Sequence, residues 1–310
     1  MAEAPLLATP LAPVPAGAAA YWFAGAGAAR LRAALFPPAG ASRGSVIVSP
    51  GRTEPIEKYF EVASRLTALG FVVLIHDWRG HGLSARLGPD RRGHAHGWRD
   101  FIADFAALLA SFETRLPRPW IALGHSMGGC LTLLALAMGE RRFAGALLSA
   151  PMLGVQTGSI PGPIVRGLAA SLPRIGLGGA LAVRETATEP FAANILTHDP
   201  GRYARNLDQV VQHPDLAVGP PTWGWLDFAF SATDRVARGQ ETPRITTPVS
   251  IIAAGEERLV DNAAARRVAA RIPGARFAVA PGAYHELMQE TDALQAPFWA
   301  AFAAVVAETR

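Results

Sequence analysis

Cysteine and lysine are almost missing from this chain of 310 residues, which has one of each, Cys130 and Lys58. A single cysteine excludes an intrachain disulfide and a cysteine-based metal site, and its place at the start of an apolar, helix-like run makes it a packing residue. With one lysine, the basic character rests on arginine. The formal charge is only +4, and the arginines are scattered or paired, as in Arg91-Arg92, Arg141-Arg142 and Arg266-Arg267. No basic stripe interleaved with aromatics exists to bind phosphates, so no nucleic-acid partner is expected. Charged residues are scarce at 17% against 50% hydrophobic, which excludes a disordered chain. Nor is there an unbroken apolar run long enough to cross a bilayer: the longest, Trp120 to Met138, is interrupted by Gly, His and Ser. Met1 to Ala20 is rich in Ala and Pro but has neither a basic start nor a continuous apolar segment. It reads as a loose N-terminal tail and not as a signal peptide. A cytoplasmic protein is expected, with peripheral membrane contact left open and the oligomeric state not fixed.

What is present is an alternation of short apolar runs and helical segments. Ser45 to Val48, Phe71 to Ile75, Pro119 to Leu123, Gly145 to Ser149, Val249 to Ala253 and Arg276 to Ala280 read as strands. Helices are expected near Ile56 to Leu69, Trp98 to Glu113, Cys130 to Met138 and Ala263 to Ile272. This order implies an α/β fold: a mostly parallel central sheet with helices on both faces. Tyr21-Trp22-Phe23 and Leu31 to Leu35 look like an antiparallel hairpin at its edge. The alternation breaks over residues 151–221, where Gly- and Pro-rich turns separate pieces such as Ile164 to Leu172 and Tyr203 to Val211. That segment reads as an inserted helical cap, leaving residues 21–150 and 222–310 as the core. It departs after a strand's C-terminal end, where open α/β sheets place their ligand sites.

Gly124-His125-Ser126-Met127-Gly128 is a G-x-S-x-G pentapeptide with a strand-like run before it and a helix-like run after it, the context of a nucleophile elbow. A serine hydroxyl is a weak nucleophile until a base takes its proton, and that base needs an acid to fix its tautomer. His285, in the loop after the last strand, is the expected base. His81, His94 and His96 lie in loops after Ile75 and read as structural; His125 packs beside the nucleophile; His198 and His213 belong to the cap. The loop Gly255 to Asn262 carries the acid candidates. Glu257 lies closer to the strand end and is the expected acid, with Asp261, which also reads as a helix N-cap, as the alternative. The developing oxyanion needs main-chain donors. Met127, after the nucleophile, supplies one N–H and Arg52, in the loop Pro50-Gly51-Arg52-Thr53, the other, with the Arg52 side chain left free.

Read together, Ser49 to Glu54, Asp77-Trp78-Arg79-Gly80-His81-Gly82-Leu83-Ser84, Gly124 to Gly129 and Gly282-Ala283-Tyr284-His285 resemble the α/β-hydrolase superfamily, and within it the monoacylglycerol lipase and lysophospholipase group. The resemblance runs from about Tyr21 to the C-terminus and is weakest in the cap. It implies a Ser-His-acid triad, no cofactor and no metal, and a cap that receives an acyl chain. Two positions depart from the group: Pro50-Gly51 replaces the His-Gly of many relatives, and Glu257 matches a position where monoacylglycerol lipases carry Asp. The expected reaction is hydrolysis of a carboxylic ester of a single-chain lipid through an acyl-enzyme. Leu153, Ile160, Trp223, Trp225 and Phe228 are the expected lining of the acyl pocket, Trp223 and Trp225 having the alternative of sealing cap to core. Two other readings remain: an esterase or thioesterase for short acyl substrates, and a ligand-binding protein on the same fold without catalysis.

Overall fold

The computed structural model describes residues 1–88, 90–183 and 190–309. Its centre is a nine-stranded sheet: β1 (Glu3–Ala4), β2 (Ala19–Ala24), β3 (Arg30–Phe36), β4 (Ser45–Ser49), β5 (Val72–His76), β6 (Trp120–His125), β7 (Phe143–Ser149), β8 (Val249–Ala254) and β9 (Arg276–Ala280). In space the order is β1-β2-β3-β5-β4-β6-β7-β8-β9. The first three strands join antiparallel and everything from β5 to β9 is parallel. β4, β6 and β7 are buried along almost their whole length, as apolar runs without period-2 alternation require.

Helices cover both faces. On one lie α2 (Arg99–Phe112), α3 (Ser126–Ala137) and α6 (Trp223–Arg238), which put Phe101, Phe105, Leu131, Leu134 and Phe228 into one core layer. On the other, α1 (Phe60–Ala68) and α8 (Asp292–Glu308) bury Val62, Leu66, Phe298 and Phe302. Each such side chain, fully removed from water, is worth about 1.5–3 kcal/mol. α7 (Asn262–Ala269) follows β8, while α4 (Gly162–Ser171) and α5 (Pro200–Gln212) lie in the stretch between β7 and α6. α4 packs on α6 through Val165, Ala169 and Phe230. Of the segment expected as a cap, residues 184–189 lie outside the described residues.

The strand order reverses between β4 and β6: from β4 the chain goes outward to β5, and from β6 it runs the other way to β9. Their carboxyl ends therefore diverge into a crevice, the place where such sheets bind ligands. Both the loop after β4 and Ser126 after β6 open there.

The loose tail expected over residues 1–20 is corrected by the structure. Glu3 and Ala4 pair with Ala20 and Tyr21 as an added edge strand, Ala12 is buried against the second core layer, and the Leu7 N–H donates to Glu57 Oε1 at 3.2 Å. A two-residue strand has no periodicity to read, and its pairing depends on an open edge that only the folded β2 supplies.

Candidate active site

β6 ends at His125 and α3 begins at Ser126, so the chain turns on a single residue. Ser126 has φ of 49°, in the left-handed region that a side chain occupies at a cost. The turn is made possible by what surrounds it. A Cβ on Gly128 would stand 2.1 Å from the Ser49 carbonyl oxygen and 2.4 Å from that of Pro50, so α3 approaches the end of β4 closer than any side chain allows.

His285 stands in the loop between β9 and α8, buried, with Nε2 at 2.9 Å from Ser126 Oγ and Nδ1 at 2.7 Å from Glu257 Oε2. A carboxylate only accepts, so Nδ1 carries the hydrogen and Nε2 is left to accept from the serine hydroxyl. The other oxygen of Glu257 accepts from Leu259 N–H at 2.8 Å and Val260 N–H at 3.2 Å. Burial pushes this carboxyl up, but the hydrogen bond and charge of His285 with the two N–H groups outweigh it, and the acid lies below its ordinary range. Asp261 is turned away to cap α7, accepting from Ala263 N–H at 2.8 Å and Ala264 N–H at 3.1 Å.

A cavity of about 450 Å³ opens over Ser126, bordered by Arg52, Met127 and His285. Met127 is the second residue of α3, where N–H groups have no intrahelical acceptor. In the loop after β4, the Gly51 N–H is taken by Glu54 Oε2 at 2.5 Å, which leaves Arg52 as the next donor along the chain. The Arg52 side chain, expected to be free, is instead half-buried and engaged. It lies 5.1 Å from the Trp225 ring and donates through Nη2 to the Gly219 carbonyl, and burial pushes its pKa down to about 10. It thereby ties the loop after β4 to the segment that leads into α6.

Of the five residues expected to line an acyl pocket, Trp225 borders this cavity. The other four do not, for three different reasons. Leu153 and Phe228 are core residues, Phe228 stacking on Phe101 at 4.8 Å. Ile160 points outward, 54% exposed. Trp223 packs toward α4 at the small cluster of Val165 and Phe230. The apolar wall is instead made by Met152, Val155, Leu226, Leu259 and Val260, from the loops after β7 and β8 and from α6.

The remaining histidines have other partners. His125 donates through Nδ1–H to Ser149 O at 3.1 Å, with its ring 4.9 Å from that of His285, and burial lowers its pKa to about 4. His81 Nδ1 meets Arg79 O at 3.0 Å, His94 meets Thr222 Oγ1 at 2.8 Å, and His198 meets Glu290 at 2.8 Å. Sequence reasoning passed over Glu54, Lys58, Tyr59 and Glu286, which form a buried hydrogen-bonded group beside the cavity, Glu54 and Glu286 contributing to its lining. A signal was there: three ionisable residues within Glu54 to Lys58, at the entry to the helix expected from Ile56.

The family model described as serine aminopeptidase, S33 (Hydrolase_4) matches residues 40–292. Lysophospholipase L2 of Escherichia coli K12 is 37% identical over 264 residues, covering 81% of this chain and 76% of its own. A monoacylglycerol lipase of Mycolicibacterium smegmatis is 28% identical over 280 residues, 87% of this chain and 91% of its own. Among solved structures, a soluble variant of monoglyceride lipase from Saccharomyces cerevisiae in complex with a substrate analog superposes with a TM-score of 0.72 at 17% identity, over 94% of this chain and 96% of that one. The sheet order and the elbow are those of the α/β-hydrolase fold, and the chain belongs to the serine aminopeptidase S33 (Hydrolase_4) family within that superfamily.

Proposed function

We propose that this chain hydrolyses carboxylic esters of single-chain lipids, monoacylglycerols or lysophospholipids, through an acyl-enzyme on Ser126. The observation that carries the reading is the hydrogen-bonded line Ser126–His285–Glu257 at the floor of an apolar cavity. The names of the relatives, lysophospholipase and monoacylglycerol lipase, support it. At about 450 Å³ the cavity lies in the lower half of the range of small-molecule sites, about 300–1,000 Å³. That volume suits one acyl chain better than two.

In this reading His285 Nε2 takes the proton of Ser126 as Oγ bonds to the ester carbonyl carbon, and the carbonyl oxygen becomes an oxyanion held by the N–H groups of Arg52 and Met127. The tetrahedral centre collapses, the ester C–O bond breaks, and His285 returns the proton to the departing alcohol. Water then repeats the sequence, giving its proton to His285 while its oxygen attacks the acyl carbon, and the free acid leaves with Ser126 restored. Glu257 remains ionised and stabilises the imidazolium. Residues 151–221 act as a cap that shapes the acyl side of the cavity, and Trp225 belongs to its wall.

A peripheral contact with membrane fits the surface around α4. Ile160, Ile164, Leu168, Ile175 and Leu177 are 40–68% exposed there, next to Arg174. No helix among the described residues is long and apolar enough to cross a bilayer. The enzyme is read as cytoplasmic, meeting its substrate at the bilayer surface.

The test is the initial rate of wild type beside Ser126→Ala on monoacylglycerols, lysophosphatidylcholines and p-nitrophenyl esters of increasing chain length. Turnover that favours the long single-chain lipids and falls by about 10⁴-fold or more in Ser126→Ala is expected. Turnover confined to short esters would replace the lipid reading with a general esterase, and activity surviving in Ser126→Ala would overturn the acyl-enzyme.

A further inference from the structure

Lys58, the one lysine of the chain, is buried. Its ammonium donates to Glu54 Oε1 at 2.9 Å and to Glu286 Oε1 at 2.5 Å. Burial pushes the ammonium down, but the two carboxylates outweigh it and keep it charged. The carboxylates belong to different halves of the active site. Glu54 Oε2 accepts the Gly51 N–H at 2.5 Å and the Tyr59 hydroxyl at 2.6 Å, so Glu54 sets the turn of the loop that carries Arg52. Glu286 directly follows His285, and its N–H donates to Leu196 O at 2.9 Å. The two loops leave strands that are not neighbours, β4 and β9.

We propose that Lys58 is a positioning residue: clamped between Glu54 and Glu286, it holds the oxyanion loop in register with the loop that carries the general base. The inference rests on the acyl-enzyme reading above. A compact ammonium with three rotatable donors suits a site where two carboxylates approach from different directions, whereas arginine's planar fork favours a single bidentate partner. Without the cation, the two buried carboxyls lose the partner that bridges them, and the site relaxes by protonating one of them or by letting the loops move apart, so the register between the loops is no longer held. A misplacement of about 1 Å between reacting and stabilising groups costs on the order of 100-fold in rate.

The experiment compares wild type, Lys58→Met, Lys58→Arg and Glu286→Gln, each checked for folding by circular dichroism and thermal melting. For each, kcat and KM are measured on a p-nitrophenyl ester, together with the inhibition constant of an alkyl trifluoromethyl ketone, which adds to Ser126 and places an oxyanion in the site. Lys58→Met is expected to lower kcat about 100-fold, with KM within about threefold of wild type and ketone affinity weakened by a factor similar to the kcat loss. Lys58→Arg, which returns a cation, is expected to recover at least about tenfold of that loss. A folded Lys58→Met with wild-type kcat and ketone affinity, or with its loss confined to KM, overturns the proposal. Should Lys58→Met not fold, Glu286→Gln decides, because it keeps the shape and removes one charge. A fall in its kcat with KM held supports the clamp, and an unchanged kcat rejects it. If wild type neither turns over esters nor binds the ketone, it is the acyl-enzyme reading that fails, which separates the two.

Discussion

Glu257 and Asp261 sit on one loop, four positions apart, and their surroundings give them different work. Glu257 is buried against His285 and fed by two N–H groups, whereas Asp261 spends one oxygen on the first turn of α7. Glu257→Gln is therefore expected to lower kcat by about 10⁴-fold, because an amide can hold the imidazole in the wrong tautomer. Asp261→Ala is expected to keep kcat within about threefold and to lose about 1 kcal/mol of stability with its cap. Steady-state kinetics and thermal melts of the two variants check this, and a reversal of the pattern would move the acid to Asp261. At this scale the sequence was legible where chemistry fixes position. Ser126 is marked by glycines that sterics demand, and His285 by its place after the last strand. The cavity wall was not legible, because Met152, Val155, Leu259 and Val260 sit on loops whose direction depends on tertiary packing. Ile160, which looks as suitable in the sequence, ends in solvent.

The element that concentrates the most constraint is the elbow of β6 and α3. Gly128 meets backbone, not movable side chains, so a methyl group there must push the end of β4 and the loop after it away from Ser126. Gly128→Ala is expected to cost about 1–3 kcal/mol by overpacking and to lower kcat about 100-fold through the displaced oxyanion loop. Urea unfolding and p-nitrophenyl ester kinetics measure the two effects. Wild-type kcat in that variant would mean that the loop after β4 does not hold the oxyanion. α4 is constrained on one side only: Val165 and Ala169 are buried against α6, while Ile164 and Leu168 face solvent. Replacing both exposed residues, Ile164→Asp with Leu168→Asp, is expected to reduce co-sedimentation with anionic vesicles several-fold while leaving hydrolysis of a dissolved short-chain ester within about twofold. Equal sedimentation would remove α4 from any membrane contact. The β-α-β order was legible from apolar runs, with bounds off by one to four residues at helix ends that fray or cap. β1 was not, since its existence depends on the edge of β2.

Taken as a whole, the molecule stores neutral histidines in its interior. His76, His81 and His125 are each about 2% exposed, and burial lowers their pKa values to about 3, 4 and 4 from an ordinary 6.5. Between those values and 6.5 the unfolded chain binds protons that the folded chain refuses, so stability is complete above about pH 6.5 and is lost as pH falls toward 4. Three such groups give a slope of up to about 4 kcal/mol per pH unit, and about 5 kcal/mol between pH 6.5 and 5. Set against a typical total of about 5–15 kcal/mol, that is a large fraction of the stability of an ordinary domain. Glu57 and Glu286, raised above their ordinary range by burial, work the other way by taking up protons in the folded state, and soften the slope toward pH 5. Glu54 and Glu61, although burial pushes both up, are held down to about 2 by cationic and hydrogen-bonding neighbours, so they add their loss only below about pH 4.5. The urea midpoint is therefore expected to fall steadily from pH 7 to 5, before carboxylates titrate in the unfolded chain. His76→Gln, which removes one of the three protons, is expected to flatten that fall by about a third. His76 lies beside Trp78 and Phe105 on the sheet and outside the hydrogen-bonded line at Ser126, so its variant separates stability from catalysis. A midpoint constant from pH 7 to 5 would show that the buried rings take up protons in the folded state, with Glu54 Oε1, 3.6 Å from His125 Nε2, as a carboxylate in place to stabilise one of them.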